Sequence, residues 1–451
     1  SPITIQAESG HSPVINAAGA QNGFAMENTA YITIDGLEIK NPQVAGIWMY
    51  NANNNTFKNC YIHHHGQNLS YGSGMEIQGG STNILVEDCV AAHGQGGGNS
   101  DGFSMDSSGS SATFRRCDAY FNGDDGFDSW DAAPSTFEDC RAWENGHLPD
   151  GTVVGNGNGF KLGGDTASGD GGHEITRCIA FNNYGDSGRG FDMNAADNPN
   201  TLYNCVAWAN DFGFRFLSGT AHVVRNCIAY QNPDGDYDSL GSIDSATNNW
   251  DLAWSDPVWA DTATEPNEVG AGPSNDATFM TLQSGSPAID AGTDVGLSFE
   301  GSAPDVNVKE YTVSGGSGAG NTAYNNFKEL LLDGSLNLDS DTLKVALVTD
   351  TPSYTPDPDT EVFVDDVLDA GVTATEVSGT GYSRKTVSAT VSQDNLNDRS
   401  VLDLSDVSYA GLDAGVVDGI ILYKEVTNDA DSPLLAYLTA PEFPLTTDGS
   451  N

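Results

Sequence analysis

Four aspartates in two short segments have the residue type and spacing of a metal site. NSDGF contains Asp101, and NGDDGFDSWD contains Asp124, Asp125 and Asp128. Asp101 and Asp124 are 23 residues apart, about one unit of the repeat described below, so we expect them on neighbouring repeats. Converging carboxylates repel one another, and together they offer the hard oxygen ligands that Ca²⁺ prefers. From these motifs alone, a calcium site and a solvated acidic turn both remain open in a chain of 63 acidic residues.

Lys161 is the candidate base for chemistry at this site. It lies in NGNGFKLGG, 36 residues after Asp125, and is one of 17 basic residues in the chain. A nearby divalent cation lowers the pKa of a lysine, and a neutral amine is a competent general base. These residues suggest that a polysaccharide uronate binds Ca²⁺ through its carboxylate and that Lys161 removes the C5 proton. The 4-linked glycosidic bond then breaks by β-elimination. The alternative is a lysine that only pairs with surplus acid.

A repeat marked by cysteines must position these residues. Seven cysteines lie between positions 60 and 227, and Gly followed by an apolar residue recurs between them. Units of 22–29 residues built from short β-like runs and Gly/Asn turns are typical of a solenoid. We predict a parallel β-helix in which the cysteines form an inward column of small apolar residues. Asparagines five positions after the later cysteines are predicted to form a hydrogen-bonded ladder: Asn122, Asn145, Asn183, Asn210 and Asn232.

Two insertions interrupt the repeat on either side of Lys161. HLPDGTVVGNGN and GGDTASGDGG lengthen the unit between Cys140 and Cys178. Insertions leave a solenoid as loops and often border its binding face. We therefore expect the flank that carries Lys161 to be the binding face.

Residues 1–312 resemble the family 9 polysaccharide lyases, pectate lyases that fold as a right-handed parallel β-helix. The resemblance implies that the four aspartates bind Ca²⁺ and that Lys161 is the base, and it suggests that Arg189 in GRGFD binds a substrate carboxylate. The start of the chain corresponds to an interior part of the family's helix, which predicts that earlier coils are absent or lie outside this chain. The motifs that carry the resemblance are ITIDGLEI, NSDGF, GDDGFDSW, NGNGFKLGG, HEITRCIAFNN, GFDMN and SPAIDAGTDVG.

A second domain is predicted after a Gly/Ser-rich linker at 313–322. NNFKELLLDG reads as a short amphipathic helix ended by Gly334, and LKVALVTD as a buried strand. We predict an all-β chain in which the β-helix is joined to a small β-rich domain, 323–451, containing one short helix. This domain resembles a module of tailed-virus structural proteins in YNNFKELLLDG, LKVALVTD, SGTGYSRKTV and GIILYKE.

The charge of the chain limits its partners and its environment. The formal net charge is −46, which repels nucleic acid and anionic membranes, and no apolar run is long enough to cross a bilayer. So acidic a surface also repels itself unless salt screens it, which favours a high-salt environment over an ordinary acidic extracellular protein. With the two resemblances, this predicts a depolymerase or receptor-binding spike on the surface of a virus of halophilic cells. Other virion proteins and a uronate-containing cell-surface glycan would be its partners, and a homotrimer is possible. A secreted lyase with an accessory module is the alternative.

Two other functions remain open from the sequence. The first is a non-catalytic glycan-binding adhesin or capsid decoration that keeps the fold. The second is a polygalacturonase-like glycoside hydrolase, because NSD, DD and GH, which include Asp101, Asp124, Asp125 and His147, resemble the ordered acids and histidine of those enzymes. Inverting hydrolysis needs two carboxyl groups with room for a water molecule between them. A separate run, His63, His64 and His65, could bind a transition metal, but a surface turn is the favoured interpretation.

Overall fold

Each repeat of the N-terminal part contributes one short strand to each of three parallel sheets, which contain 10, 9 and 9 strands. In the computed structural model the chain divides into two units, Ser1–Tyr311 and Thr312–Asn451. The predicted parallel β-helix and the small C-terminal β-rich domain are confirmed. The structure describes residues 2–67, 71–106, 109–148, 150–164, 170–216, 221–239, 243–252, 254, 256–262, 279–299, 303–311, 322–338, 340–349, 356–358, 360–368, 374–394, 399–413, 415–439 and 445–447.

The three sheets of the β-helix are numbered here in the order in which the chain first enters them. Sheet 1 contains Ile3–Gln6, Ile32–Asp35, Thr56–Lys58, Ile84–Glu87, Ala112–Arg115, Thr136–Glu138, Glu174–Thr176, Thr201–Tyr203, His222–Arg225 and Ile243–Ala246. Sheet 2 contains Val14–Asn16, Glu38–Lys40, Tyr61–His63, Val90–Ala92, Asp118–Tyr120, Arg141–Trp143, Ile179–Phe181, Val206–Trp208 and Ile228–Tyr230. Sheet 3 contains Phe24–Glu27, Ile47–Tyr50, Met75–Gln78, Phe103–Asp106, Phe127–Asp128, Phe160–Lys161, Arg189–Asp192, Phe212–Phe216 and Gly235–Ser239.

A column of buried phenylalanines fixes the register of sheet 3. Phe103, Phe127, Phe160, Phe191 and Phe214 pair with one another on successive coils, as the shared Gly-apolar marker predicts. Their rings stack with centroids 4.7–5.1 Å apart. Successive residues of a strand point to opposite faces, so the residue after each phenylalanine points outward. This alternation carries the candidate site residues to the outer surface of sheet 3.

Cysteines and asparagines form the two columns that the repeat predicts. All seven cysteines are buried and free. In the asparagine column, Nδ2 of each member donates to Oδ1 of the next at 2.8–3.3 Å, and the members are Asn122, Asn145, Asn183, Asn210 and Asn232. The same Nδ2 of Asn145 also donates to the Ala119 carbonyl, which satisfies both of its protons inside the core. Both columns are structural, as predicted.

Residues beyond the last coil pack on the outer face of sheet 2. Phe279, Met280 and Leu282 are buried in one cluster with Trp143 and Phe181 of that sheet. The same cluster contains Ala288 of the motif SPAIDAGTDVG, together with Val306 and Val308. This segment therefore covers sheet 2.

The C-terminal unit is built on an antiparallel sheet with two helices among its described residues. The central strands are Leu343–Thr349, Gly419–Lys424 and Leu434–Leu438, and the helices are Asn325–Leu332 and Val364–Leu368. Only one helix was predicted. The second has five residues, too few for a helical period to show, and buries Val364 and Val367. The remaining elements are Thr322–Ala323, Thr375–Glu376, Lys385–Val387, the hairpin Ala389–Asp394 with Arg399–Leu404, the pair Gly415–Val417 with Leu445–Thr447, and the 3-10 turn Asp429–Asp431.

Most of the predicted linker, 313–322, lies outside the described residues, and Thr322 already begins a strand. The Gly334 that was expected to end the first helix has a left-handed φ of 76°. Among the described residues, no helix is both long and apolar enough to cross a membrane.

Candidate active site

One line of outward-facing residues crosses sheet 3 and contains the candidate base. The aligned residues on five successive coils are Ser104, Asp128, Lys161, Asp192 and Arg215. Neighbouring coils are about 4.8 Å apart, so adjacent members of the line are within side-chain reach. The alignment predicted from the Gly-Phe markers is confirmed at Lys161, which stands directly beside Asp128.

The amine of Lys161 lies among the predicted calcium ligands. Its Nζ is 3.1 Å from Oδ2 of Asp125 and 3.0 Å from Oδ2 of Asp128. Lys161 is 8% exposed, so these ion pairs are largely shielded from water. The ring of Trp130 faces the same amine, with its centroid 4.9 Å from Nζ. The lysine therefore points away from the interior of the β-helix and into the acidic cluster.

Three of the four predicted ligands converge. Oxygen atoms of Asp101, Asp125 and Asp128 all lie within 4.8 Å of one another. Asp125 is held by Asn158, whose backbone N–H and Nδ2 both donate to Oδ1 at 2.8 Å. Asp101 accepts the backbone N–H of Asp125 at 3.1 Å. The backbone of one coil thus orients the carboxylates of its neighbours.

Asp124 is turned to a different partner. Its Oδ1 accepts the backbone N–H of Asn156, in the insertion before Lys161, at 2.6 Å. It is not a member of the cluster formed by the other three carboxylates. Adjacent residues in this turn therefore have different contacts: Asp125 faces the amine of Lys161, and Asp124 anchors the inserted loop.

The acidic cluster fits a calcium ion in its chemistry. All of the ligand atoms that its side chains offer are carboxylate oxygens, which suit a hard cation. Among the described residues, no donor reaches Oδ1 of Asp128, although this atom is buried. A buried carboxylate oxygen without a protein partner is costly, and this atom is available to a cation. Asp101, Asp125 and Asp128 are the residues that would hold Ca²⁺, and Asp124 remains a predicted ligand.

Burial and mutual repulsion shift the pKa values in this cluster. Burial and the neighbouring carboxylates raise the pKa of Asp101. Burial and the charge of Asp125 raise the pKa of Asp124 to about 8. Burial raises the pKa of Asp128 to about 6, against the attraction of Lys161. Burial alone would lower the pKa of Lys161, but attraction to Asp125 and Asp128 outweighs it and moves that pKa above the ordinary lysine range. Without a metal, the amine is therefore protonated and serves as the cation of the cluster.

Asp101, Asp128 and Lys161 line a cavity of about 340 Å³ on the outer side of sheet 3. Its lining adds groups that the sequence did not single out, notably Tyr71, Glu76, Asn99, Ser104 and Trp130. The cavity is thus lined by acids, one lysine and two aromatic rings, a set suited to a polar, ring-shaped ligand.

Arg189 lines a second cavity on the same sheet, of about 270 Å³. Its Nη1 donates to Oγ of Ser187 at 2.9 Å and lies 3.5 Å from Oδ2 of Asp192. Arg215 lines the same cavity and forms a two-pronged contact with Asp192. Arg189 is therefore not in the cavity of Lys161, but it lies one coil further along the same face.

Several of these residues were missed, and the repeat could have revealed three of them. Asp192 and Arg215 follow the apolar marker of their units by one position, just as Lys161 does, so the same alignment places them on the line. Asn158 carries the signal too, because it stands two positions before its marker, as Asp101 and Asp125 do before theirs. Trp130 carries none, because its contact with Lys161 depends on turn geometry rather than on strand register.

The structure separates the histidines from the acids. His147 contacts the Leu148 carbonyl and Glu144 and stacks on Tyr184, and it is not among the described residues lining the cavity of Lys161. The separation of about 6.5–9.5 Å that inverting hydrolysis requires also exceeds the 4.8 Å within which the three carboxylates meet. His63 and His65 are buried, so the favoured surface-turn interpretation was wrong for both. Among described residues, no histidine belongs to a metal-binding group of three.

Comparison with known proteins agrees with this architecture. Residues 1–218 match the model of the Pel9A-like, right-handed β-helix region. Pectate lyase L of Dickeya chrysanthemi is 31% identical over 303 residues, which cover 62% of this chain and 68% of that protein. Pectate lyase PEL9 of Emericella nidulans is 32% identical over 243 residues, covering 48% of this chain and 56% of the relative.

A solved structure, the crystal structure of pectate lyase Pel9A, superposes with a TM-score of 0.59 at 27% identity. The superposition covers 69% of this chain and 80% of that one. These matches share the β-helix with this chain, and the Dickeya chrysanthemi relative is both similar enough and covered over enough of its length to show the family. The chain belongs to the pectate lyase L family of polysaccharide lyases, with the Pel9A-like right-handed β-helix as its fold.

Proposed function

We propose that this protein is a calcium-dependent lyase that cleaves a uronate-containing glycan by β-elimination. The observation that carries the proposal is the position of the Lys161 amine, 3.0–3.1 Å from two carboxylates of an acid cluster at the surface of sheet 3. A base and a cation site in one cavity are what the abstraction of a proton next to a carboxylate requires.

Asp101, Asp125 and Asp128 would hold the cation. When bound, Ca²⁺ would draw charge from the substrate carboxylate, acidify the neighbouring C–H and compensate the acids that keep Lys161 protonated. The backbone N–H groups of Asp125 and Asn158 orient the carboxylates of Asp101 and Asp125 that would hold the metal.

Lys161 would then act as the general base. Its neutral Nζ takes the proton from C5, the C–H electron pair forms the C4–C5 double bond, and the C4–O bond breaks with its electrons on the leaving oxygen. That oxygen takes a proton from water. Trp130, 4.9 Å from Nζ, limits the positions that the amine can adopt. The arginines of the second cavity, Arg189 and Arg215, would contact the next part of the glycan on the same face.

The test follows the ultraviolet absorbance of the new conjugated double bond during incubation with uronate polymers. Wild-type protein with Ca²⁺ should form it, and Lys161→Ala should not. Lys40→Ala is the matched control, because Lys40 is also ion-paired, to Glu38, but lies on sheet 2. Binding of the glycan without any absorbance change would favour the non-catalytic adhesin instead. Cleavage that yields reducing ends but no double bond would favour the hydrolase.

We also propose that the protein acts outside the cell, at the surface of a virus of halophilic cells. The support is the resemblance of the C-terminal domain to tailed-virus structural proteins and the net charge of −46. Mass spectrometry of purified particles should detect the chain, and detection only in the particle-free medium would favour a secreted lyase. Its contacts with virion proteins and a homotrimeric state remain predictions, and light scattering of the purified protein measures the latter.

A further inference from the structure

An aromatic pair continues the active-site face toward the start of the chain. Trp48 lies on the strand Ile47–Tyr50. On the next four coils, the residues aligned with it are Glu76, Ser104, Asp128 and Lys161. The ring of Trp48 stacks beside that of Tyr50, with centroids 5.9 Å apart and planes 15° apart. Tyr50 is 45% exposed, although it is a large ring on a folded surface. Four coil steps of about 4.8 Å place Trp48 about 19 Å from Lys161.

The pair is held in place and is connected to the catalytic cavity. Nε1 of Trp48 donates to Oε1 of Gln78 at 3.3 Å, and Nε2 of Gln78 donates to Oε1 of Glu76 at 2.6 Å. Glu76 lines the cavity of Lys161. Tyr50 lies against Gly79, where a Cβ would come within 2.7 Å of its ring. A fixed aromatic surface costs little entropy when a ligand binds.

The charge around the pair determines which ligand it can take. The outward residues of the strands at Phe24–Glu27, Ile47–Tyr50, Met75–Gln78 and Phe103–Asp106 are all described, and none of them is basic. They include Glu27, Glu76 and Asp106, and burial and Asp106 raise the pKa of Glu76 to about 7. A uronate over Trp48 would meet these acids without a cationic partner, whereas a neutral pyranose can place its C–H face on the rings. The arginines of this face, Arg189 and Arg215, lie beyond Lys161 at the other end.

We infer that Trp48 and Tyr50 form a distal subsite for neutral sugar residues of the same glycan. The substrate is then a heteropolysaccharide in which neutral sugars accompany the uronate that is cleaved, rather than a polymer of uronate alone. This inference rests on the proposed function for the position of the uronate. We assign the aromatic pair to the glycan, rather than to another ligand, because the pair is continuous with the cavity of Lys161.

The test compares two oligosaccharides of equal length, each long enough to span about 19 Å. One contains only uronate, and the other alternates uronate with a neutral hexose. Affinities are measured by titration calorimetry with Ca²⁺ in a Lys161→Met background, so that neither ligand is cleaved. We expect the mixed oligosaccharide to bind more tightly, and Trp48→Ala to weaken that binding about tenfold while leaving the uronate oligomer nearly unchanged.

Two variants keep this test decisive. Tyr31→Ala removes a ring that is 59% exposed but precedes a strand of sheet 1, and it should change neither affinity. Tyr50→Ala repeats the test at an exposed position if Trp48→Ala does not fold. The inference is overturned if the uronate oligomer binds as tightly as the mixed oligosaccharide or more tightly. It is also overturned if neither Trp48→Ala nor Tyr50→Ala weakens binding of the mixed oligosaccharide. The absence of double-bond formation by the wild type counts against the proposed function alone, because these affinities do not depend on turnover.

Discussion

Replacing Lys161 by methionine should expose how strongly the acid cluster depends on a cation. The amine is the partner of two buried carboxylates, Asp125 and Asp128, and Lys161 itself is 8% exposed. Methionine keeps much of the side-chain volume and removes the charge. Removing one partner of a buried ion pair costs about 3–5 kcal/mol, because the remaining charge stays buried without compensation. We expect a loss of this size in the free energy of unfolding of metal-free protein.

Calcium should reverse part of that loss. A cation bound by Asp101, Asp125 and Asp128 replaces the missing positive charge, and the variant has no amine to compete with it. At a hundredfold excess over its Kd, a ligand that binds only the folded state adds about 2.7 kcal/mol. Because the variant should bind Ca²⁺ more tightly than the wild type, the difference between the two should shrink in its presence, by about 1.4 kcal/mol for each tenfold difference in affinity at saturating Ca²⁺.

Urea denaturation followed by circular dichroism, with chelator or with Ca²⁺, measures both quantities. Lys40→Met is the control, since the pair of Lys40 with Glu38 is partly exposed and should contribute less than about 1 kcal/mol. The reasoning is refuted if Lys161→Met costs no more than the control in chelator. A loss of equal size with and without Ca²⁺ would instead refute the assignment of the cation site.

Three further results are expected. Asp125→Asn should weaken calcium binding, measured by calorimetry, far more than Asp124→Asn, because Asp125 belongs to the three-carboxylate cluster and Asp124 is turned to the Asn156 N–H; the reverse order would contradict the cluster. The pKa of Glu76 is raised to about 7, so its stabilising contribution is present below pH about 4.5 and is lost as pH rises toward 7. The free energy of unfolding of the wild type, measured by denaturation at a series of pH values, should therefore fall by roughly 3 kcal/mol more than that of Glu76→Gln over this pH range. The same pH dependence in both proteins would contradict the raised pKa of Glu76. Phe160→Ala should cost about 3–5 kcal/mol, measured in the same way, because it interrupts the stacked column next to Lys161; a loss below 1 kcal/mol would mean that the column does not fix the register.

Strand register was the part of the fold that the sequence determined best. The residue after each Gly-apolar marker faces outward, so the marker alone predicts that Lys161 stands beside Asp128. The asparagine ladder was predictable for a similar reason, because an amide at a fixed place in each coil lies next to its counterparts in the coils above and below. In both cases one spacing recurs in every unit, and stacking converts that spacing into contact.

The orientation of side chains in the turns could not be predicted in this way. Asp124 and Asp125 are neighbours in one acidic motif, and spacing assigns both to the same site. The structure separates them through two backbone N–H groups of the insertion, those of Asn156 and Asn158. The lengths of the insertions are visible in the sequence, but the paths that they take are not. The buried histidines 63 and 65 show the same limit, since a polar run at a turn position gave no sign of burial.

The outer face of sheet 3 differs on the two sides of Lys161, and this difference suggests why a lyase of this family would have an aromatic pair so far from its proposed base. The proposed proton abstraction needs one uronate at Lys161, and binding energy from remote sugar units would help to orient that uronate. Among the described residues of sheet 3, arginines flank the base on one side, in a cavity that Asp211, Asp234 and Asp238 also line. The described outward residues on the other side include acids and no basic residue, so there the proposed glycan would be bound through surfaces that do not depend on charge. Aromatic rings meet that requirement also in high salt, where attraction between charges is screened and burial of apolar surface is not weakened.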